Sequence, residues 1–479
     1  MISESVATGV RGATERGMRA PGAARCRLLF ITLAFPPSRE IGAHACEQIG
    51  RYFPLYGWDP IVLTGPKRLI ESADPSHRRA FPGKIVEAGL LPHPISVYRK
   101  LKRALARSAG NDCRLVGKPN EHAQGRFRRW VLSLFQTPDI YTGWFVPATM
   151  VGLRAIRRER ITHIFSSGPC WTNHLVGLAL AWLTGLTWTI HFRDPWNEMP
   201  QAKDVSAFSA NIEKMLQRVV IKRADSVVCV TEAHTRLLRQ IFADLPVEKF
   251  VTIPNGYDES EWDSIQLEKS DRNRFIITYT GSFMMGTRSP RPVFRALRTL
   301  IDAGHLDLNK VRVDLIGHCD VAEGIGVTDM AAEYGLSGFV QVSPPVSRPE
   351  ILRRMANSNL LLLLAEGWTL QIPGKTYEYL RAGRPILALT AEGALTDLLR
   401  QTGGGWTVQP EDHGAIMRVI HGVYNDWRMG RATPPAHRAL IGEFDRRRLA
   451  GRFAGLFDQA SAGRHATEWV VSSTSNANS

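Results

Sequence analysis

IPGKTYEYLRAGRPILAL, residues 372–389, decides the fold. Pro373 and Gly374 make a turn, KTYEYLRA continues as a helix, and Gly383 with Pro385 ends it before the buried strand PILALT. A turn, a helix and an apolar strand in so short a span make one step of an α/β domain built on a parallel sheet. On the helix, Lys375 and Glu378 stand one turn apart on the same face. A cation in the first turn is slightly unfavourable to the helix dipole, and a phosphate in front of that terminus would account for it. Glu378 can accept hydrogen bonds from two ribose hydroxyls. The plain alternative is a surface ion pair between the two, contributing only about 0.2–0.5 kcal/mol.

The same alternation repeats on both sides of this stretch. RFIITYTGSF (274–283) is a strand running into a glycine loop, VFRALRTLI is a helix, and VRVDLIG (311–317), FVQVS (339–343), NLLLLLAEG (359–367) and GWTVQ (405–409) are further strands. Upstream, RLLFITLAF (27–35) reads as a buried strand, and the segment after it places Ile49, Phe53 and Tyr56 on one helical face, with Pro54 inside it as a point where the helix can end early. IVLTG (61–65), ITHIFSS (161–167), TWTIHF (187–192), ADSVVCVT (224–231) and the start of FVTIPNGYD (250–258) continue the series. Two successive β/α halves joined near 260–272 predict two Rossmann-like domains, one over 27–265 and one over 272–430. A helix over 435–460 follows the second half and is expected to pack back on the first. Residues 1–26 and 461–479 read as disordered tails.

The chain has 479 residues, 44% apolar and 22% charged, a globular composition too long for one core. Its net charge of +15 suits anionic partners: a phosphorylated small molecule, nucleic acid or an anionic membrane. The six cysteines are scattered without C-x-x-C or paired-histidine spacing, which argues against a zinc site and a disulfide framework and fits a reducing cytoplasm. The first 26 residues carry Arg11, Arg16 and Arg19 but no apolar segment, so they do not read as a secretory signal. The apolar stretch 174–190 contains Gly177, Thr184, Gly185 and Thr187 and reads as a buried helix followed by a strand, not a membrane span. Between Arg99 and Arg129, ten Lys or Arg residues face only Asp112 and Glu121, with Val97, Leu101 and Leu105 among them at helical spacing. This insertion, about 94–130, is either a solvated charge run or a face for an anionic membrane surface. No nucleic-acid recognition module is present in the sequence, and nucleic acid is not expected as a partner.

Two further groups carry candidate chemistry. At TGSF, Gly281 and Ser282 follow a strand and precede a helix, so backbone N–H groups there can approach a phosphate. Arg288 and Arg291 can neutralise a diphosphate or be ordinary surface arginines. Arg193 and Asp194 sit at a strand end, where ligands bind in open α/β sheets. There a carboxylate can orient an acceptor hydroxyl and an arginine can balance phosphate charge; the alternative is an ion pair closing the loop. His191, two residues earlier on the strand, is as much a core residue as a catalytic one.

Taken in order, LLFITLAFPPSREIGAHACEQIGRYF, HFRDPWNE, ADSVVCVT, IPNGYD, YTGSF and KTYEYLRAGRPILAL resemble the family 4 glycosyltransferases of the GT-B fold, from about Arg27 to Ala460. The resemblance implies two Rossmann-like domains facing each other across a cleft, and transfer of a sugar from a nucleoside-diphosphate sugar to a glycan or lipid-linked acceptor. It further implies retention of configuration, no metal and no cofactor. It sets Gly42 near the donor phosphates, Arg193 and Asp194 at the cleft as the catalytic pair, and Gly281, Ser282, Arg288, Arg291, Lys375 and Glu378 around the nucleotide-sugar. Such an enzyme would be cytoplasmic, or peripheral on the inner face of the membrane. One departure stands out: the family often carries a second glutamate eight positions before the one matching Glu378, where this chain has Leu370, and the nearest acid is Glu366. Two other readings share the architecture, a nucleotide-sugar 2-epimerase and a non-catalytic binding or scaffold protein.

Overall fold

The computed structural model describes residues 25–38, 41–67, 81–92, 137–198, 207–263, 265, 273–283, 288–367, 369–431 and 437–475, with Ile41 and 463–475 described by backbone alone. The basic insertion at about 94–130 therefore lies outside the described residues, as do nearly all of the first tail and residues 476–479. The chain divides into two compact units. The first takes residues up to Val230, His234–Ile253 and Ala450 onward; the second takes Thr231–Ala233 and Pro254–Leu449.

In the first unit the elements run β1 (Cys26–Ile31), α1 (Ile41–Tyr52), β2 (Trp58–Thr64), β3 (Lys84–Glu87), α2 (Phe145–Glu159), β4 (His163–Gly168), α3 (Thr172–Thr184), β5 (Thr187–Phe192), α4 (Ala207–Arg223), β6 (Ser226–Cys229), α5 (Glu232–Ile241) and β7 (Phe250–Thr252). All seven strands are parallel, in the order β3-β2-β1-β4-β5-β6-β7. Helices cover both faces, so the central strands are buried throughout: Leu28 to Ile31 of β1 are apolar and wholly inaccessible, and β4 and β5 also bury polar residues such as His163, Ser166 and Thr189. Pro54 stops α1 at Tyr52, and a short 3₁₀ turn over Phe53–Tyr56 takes its place. The apolar stretch 174–190 resolves into α3 and β5, and no helix of the described residues is long and apolar enough to cross a membrane.

The second unit holds α6 (Glu259–Trp262), β8 (Phe275–Ser282), α7 (Arg291–Asp302), β9 (Val311–His318), the antiparallel pair β10 (Val321–Ala322) and β11 (Ile325–Gly326), α8 (Val327–Glu333), β12 (Val340–Ser343), α9 (Arg348–Asn357), β13 (Leu360–Leu364), α10 (Lys375–Ala382), β14 (Ile386–Leu389), α11 (Ala394–Thr402), β15 (Gly405–Val408), α12 (His413–Arg428) and α13 (Arg438–Gly442). Its main sheet is parallel, ordered β12-β9-β8-β13-β14-β15. Gly383 ends α10 at φ 67°, a conformation that its lack of a Cβ permits.

Three boundaries differ from the sequence reading. The first strand begins at Cys26, whose N–H donates to Gly57 O. The joint between units falls at Ile253–Pro254 and not at 260–272, because 257–262 is already tied to the second unit: Tyr257 N–H donates to Phe444 O, and Arg381 pairs with Glu259 and lies 5.2 Å from the Trp262 ring. The last helix, α14 (Arg446–Ser475), runs through most of the stretch expected to be coil from 461, since no proline interrupts it.

From Ala450 onward α14 belongs to the first unit. There Phe457 packs on Phe53, Trp58, His163 and Phe165, with ring centroids 4.8–5.5 Å apart. Phe457 is fully buried. Phe457→Ala should cost about 3–5 kcal/mol through lost burial and the cavity left behind, read as a lower denaturant midpoint for the first unit; a shift under about 1 kcal/mol would mean that the helix is not part of this core.

Candidate active site

In the second unit β8 ends in Thr280-Gly281-Ser282, and Gly281 adopts φ 142°. A Cβ on Gly281 would sit 2.8 Å from Lys375 Nζ, so only glycine allows the ammonium this close to the loop. Lys375 opens α10; its Nζ donates to Thr280 O at 2.5 Å and lies 3.9 Å from the Tyr279 ring centroid. Among the described residues no carboxylate pairs with it. Burial, and then the neighbouring Arg288, push the Lys375 ammonium down to about 7. Arg288 Nη1 approaches Ser282 O at 3.4 Å. Gly281, Ser282, Arg288 and Lys375 are thus brought together around one strand end.

Residues that the sequence did not mark complete this loop. Tyr379 accepts from Thr280 N at 2.9 Å through its hydroxyl, and Cys319 Sγ donates to Gly281 O at 3.4 Å. A Cβ on Gly317 would lie 2.0 Å from Gly281 O, so β9 supports the loop by backbone contact. Glu378 is one turn along α10, and its Oε1 accepts from Arg348 Nη2 at 2.6 Å. Arg348 also donates to Glu261, so the partner of Glu378 is this arginine and not Lys375. Arg291 is placed apart from the loop cations: its guanidinium donates to Glu323 at 2.8 Å and Glu333 at 3.2 Å. Leu370, at the position of the second family glutamate, accepts from Thr231 Oγ1 through its carbonyl. Glu366 lies just past β13, and burial, with Glu411 and Glu323 nearby, raises its carboxyl.

The first unit holds the other cluster. Arg193 donates to Gly168 O through Nε at 3.1 Å, to Gly42 O through Nη1 at 2.9 Å and to Pro169 O through Nη2 at 2.9 Å. A Cβ on Gly42 would sit 2.7 Å from Arg193 Nη1, which explains a glycine there. Arg193 therefore ties the first turn of α1 to the end of β4 and the residue after it, by their carbonyls. Burial raises the Asp194 carboxyl, opposed by the charges of Arg193 and His234. The loop behind them is packed: Trp196 stacks on Trp171 at 5.0 Å and 6°. His191 bonds Ser167 Oγ at 3.2 Å and stacks on Phe165, a core setting. His174, fully buried, meets Ser166 Oγ at 2.8 Å, and burial together with Arg193 pushes it down to about 3, so it stays neutral. No group of three or more His, Cys, Asp or Glu placed to hold a metal occurs among the described residues.

Comparison with known proteins sets this geometry in context. Residues 95–256 match the model of the glycosyl transferase 4-like domain. No curated protein is matched by sequence. Among solved structures the chain is similar to sucrose-phosphate synthase from Thermosynechococcus elongatus (12% identity, 94% of this chain and 100% of that one, TM-score 0.58). It is similar as well to the lipopolysaccharide outer core galactosyltransferase WaaB in its apo form (11%, 90% and 99%, 0.53). A third is Anabaena HepE in complex with UDP (13%, 94% and 100%, 0.51). The two parallel-sheet units, of seven and six strands, match the GT-B glycosyltransferase architecture. The domain match and these neighbours together support glycosyl transfer.

Proposed function

We propose that this chain transfers a sugar from a nucleoside-diphosphate sugar to a glycan or lipid-linked acceptor. The observation that carries the reading is Lys375, an ammonium without a carboxylate partner among the described residues, set beside a second cation and over a glycine loop. A diphosphate at Gly281–Ser282 would supply the missing negative charge, with Lys375 and Arg288 as its ligands. Glu378 faces the ribose in this reading, held in place by Arg348. The UDP bound by the similar Anabaena protein supports a nucleotide donor. Arg291, engaged by Glu323 and Glu333, is left a supporting role at most. In the first unit Asp194 orients the acceptor hydroxyl, Arg193 fixes the loops that carry it, and Gly42 leaves room for that arginine. Retention of configuration without metal or cofactor, a hexosyl or N-acetylhexosaminyl donor, and a place on the inner face of the membrane in polysaccharide assembly are inferred from the sequence resemblance. The net charge of +15 fits an anionic surface.

Calorimetry with UDP and GDP, without added metal, tests the donor site. Binding of one nucleotide should weaken by about 1–3 kcal/mol in Glu378→Ala, the range for a lost charged hydrogen bond. Absence of binding by folded protein would sink the assignment. Donor turnover separates the rivals: an epimerase consumes donor without acceptor, and a scaffold binds without consuming it.

A further inference from the structure

β15 is the last strand of the second sheet, paired with β14 along one edge only among the described residues. Helices α11 and α12 flank it from opposite faces. Leu398 and Leu399 of α11 share a core with Leu361 and Leu363 of β13, whereas Ile416 and Ile420 of α12 share one with Leu360 and Leu362. Between the two helices lies a groove of about 570 Å³, open at the sheet edge and bounded by β15, Arg400, Arg418, Gly422 and Asp426. The carbonyls of Gly404 and Val408 accept from the N–H groups of Ile386 in β14 and of Thr390 just past it. By the two-residue alternation of a strand, the N–H and C=O groups of Gly405 and Thr407 point into the groove. Trp406 beside them is 42% exposed. Sheet edges of this kind are normally covered, and a strand-shaped slot between two helices is the shape that an added strand fills.

The groove side of α12 indicates which strand. Arg418, Gly422 and Asp426 follow one another at intervals of four, so they form one row with glycine at its centre, a cation at one end and an anion at the other. A Cβ on Gly422 would meet nothing within 4 Å. Asp426 has Arg431 only at 3.9 Å, an exposed and loose pair. A row that reads cation, gap, anion is complementary to itself when turned through a two-fold axis at the gap.

We infer that this edge joins two copies of the chain. β15 pairs antiparallel with β15 of the second copy, and α12 crosses its copy at Gly422. The two-fold axis then places Arg418 against the partner subunit's Asp426, and Asp426 against the partner subunit's Arg418. The main-chain bonds of a strand this short are few, so the helix pair and its two reciprocal ion pairs carry the specificity.

The experiment is sedimentation velocity of the full chain over a concentration series, with melting curves to confirm folding. Wild type should sediment as a dimer of the 53.4 kDa chain. Gly422→Gln, whose Cβ meets nothing within 4 Å in the monomer, should stay folded by its melting curve and dissociate at least about tenfold more readily. Arg418→Asp and Asp426→Arg should each weaken the dimer by a similar factor, and the double variant should restore it. A wild-type monomer throughout the series overturns the inference, and so does a dimer indifferent to Gly422→Gln. Single variants that dissociate without rescue in the double variant overturn the two-fold pairing, as binding of an unrelated extended peptide to a monomeric groove would.

Discussion

Lys375→Met is expected to weaken binding of the donor nucleotide by at least about a hundredfold, while the variant melts no lower than wild type and higher below neutral pH. The ammonium is partly buried, donates to one carbonyl, and stands beside Arg288 without a carboxylate partner among the described residues. Holding it charged while buried beside Arg288 costs stability, so its folded pKa of about 7 lies below the ordinary lysine value of 10.5. Between those values the unfolded chain holds more protons than the folded one, and stability rises with pH across that window. Below pH 7 both states are charged and the full cost persists. Methionine removes the cost, on the order of 1–3 kcal/mol after allowance for solvent, and removes the pH slope with it. Binding runs the other way. A diphosphate needs the charged form, so wild-type affinity should fall by up to about tenfold per pH unit above 7, with proton uptake on binding. Calorimetry in paired buffers of different ionisation enthalpy measures that uptake. Affinity independent of pH, with no proton taken up, would remove Lys375 from the diphosphate site.

Arg193 gives the second large effect. Its guanidinium donates to the carbonyls of Gly42, at the start of α1, and of Gly168 and Pro169, at the end of β4. Arg193→Met would remove all three guanidinium bonds, leaving Gly168 O only the backbone N–H of residue 193, and cost roughly 2–4 kcal/mol. Donor turnover should fall more than about a hundredfold, because Asp194 depends on the same loop for its position. Arg193→Lys should rescue little of either: an ammonium is a point donor and cannot reach three carbonyls as a planar fork does. Thermal melts and turnover of both variants are the measurement. A lysine variant with wild-type stability would show that charge, and not the clamp, is what the position requires.

Much of this architecture is legible in the sequence because parallel strands are buried on both faces. Runs such as LLFI in β1 and LLLLL in β13 announce them without tertiary information. The glycine loop at Gly281 and the start of α10 at Lys375 are equally local signals, being fixed by turn chemistry within a few residues. What was not legible depends on residues far apart in the chain. Arg348 lies thirty residues before Glu378 and takes it as a partner, where the i,i+3 spacing suggested Lys375. Arg291 reads like a second phosphate ligand until Glu323 and Glu333 close on it from β10–β11 and α8. Tyr379 carries no sequence signal for its bond to Thr280, since a tyrosine in a helix reads as packing. Gly42 reads as a loop glycine, and only the fold shows that an arginine side chain from β5's end takes the space of its missing Cβ. The joint between units was displaced for the same reason, because the bonds that tie 257–262 to the second unit come from 381 and 444.

The placement of Phe457 has a consequence for the order in which the protein is made. A ribosome delivers β1 to β7 first, then the whole second unit, and only afterwards the helix whose Phe453 and Phe457 cover Phe53, Trp58 and Phe165. During the interval the first sheet stands in the cell with an aromatic face uncovered, a surface that invites chaperones or aggregation. The second unit, contiguous from Pro254 to Leu449 apart from three residues already synthesised, has no such wait. The unit that emerges first is thus the one that finishes last, and a nascent chain stalled before Phe457 would present a different, stickier molecule from the completed one.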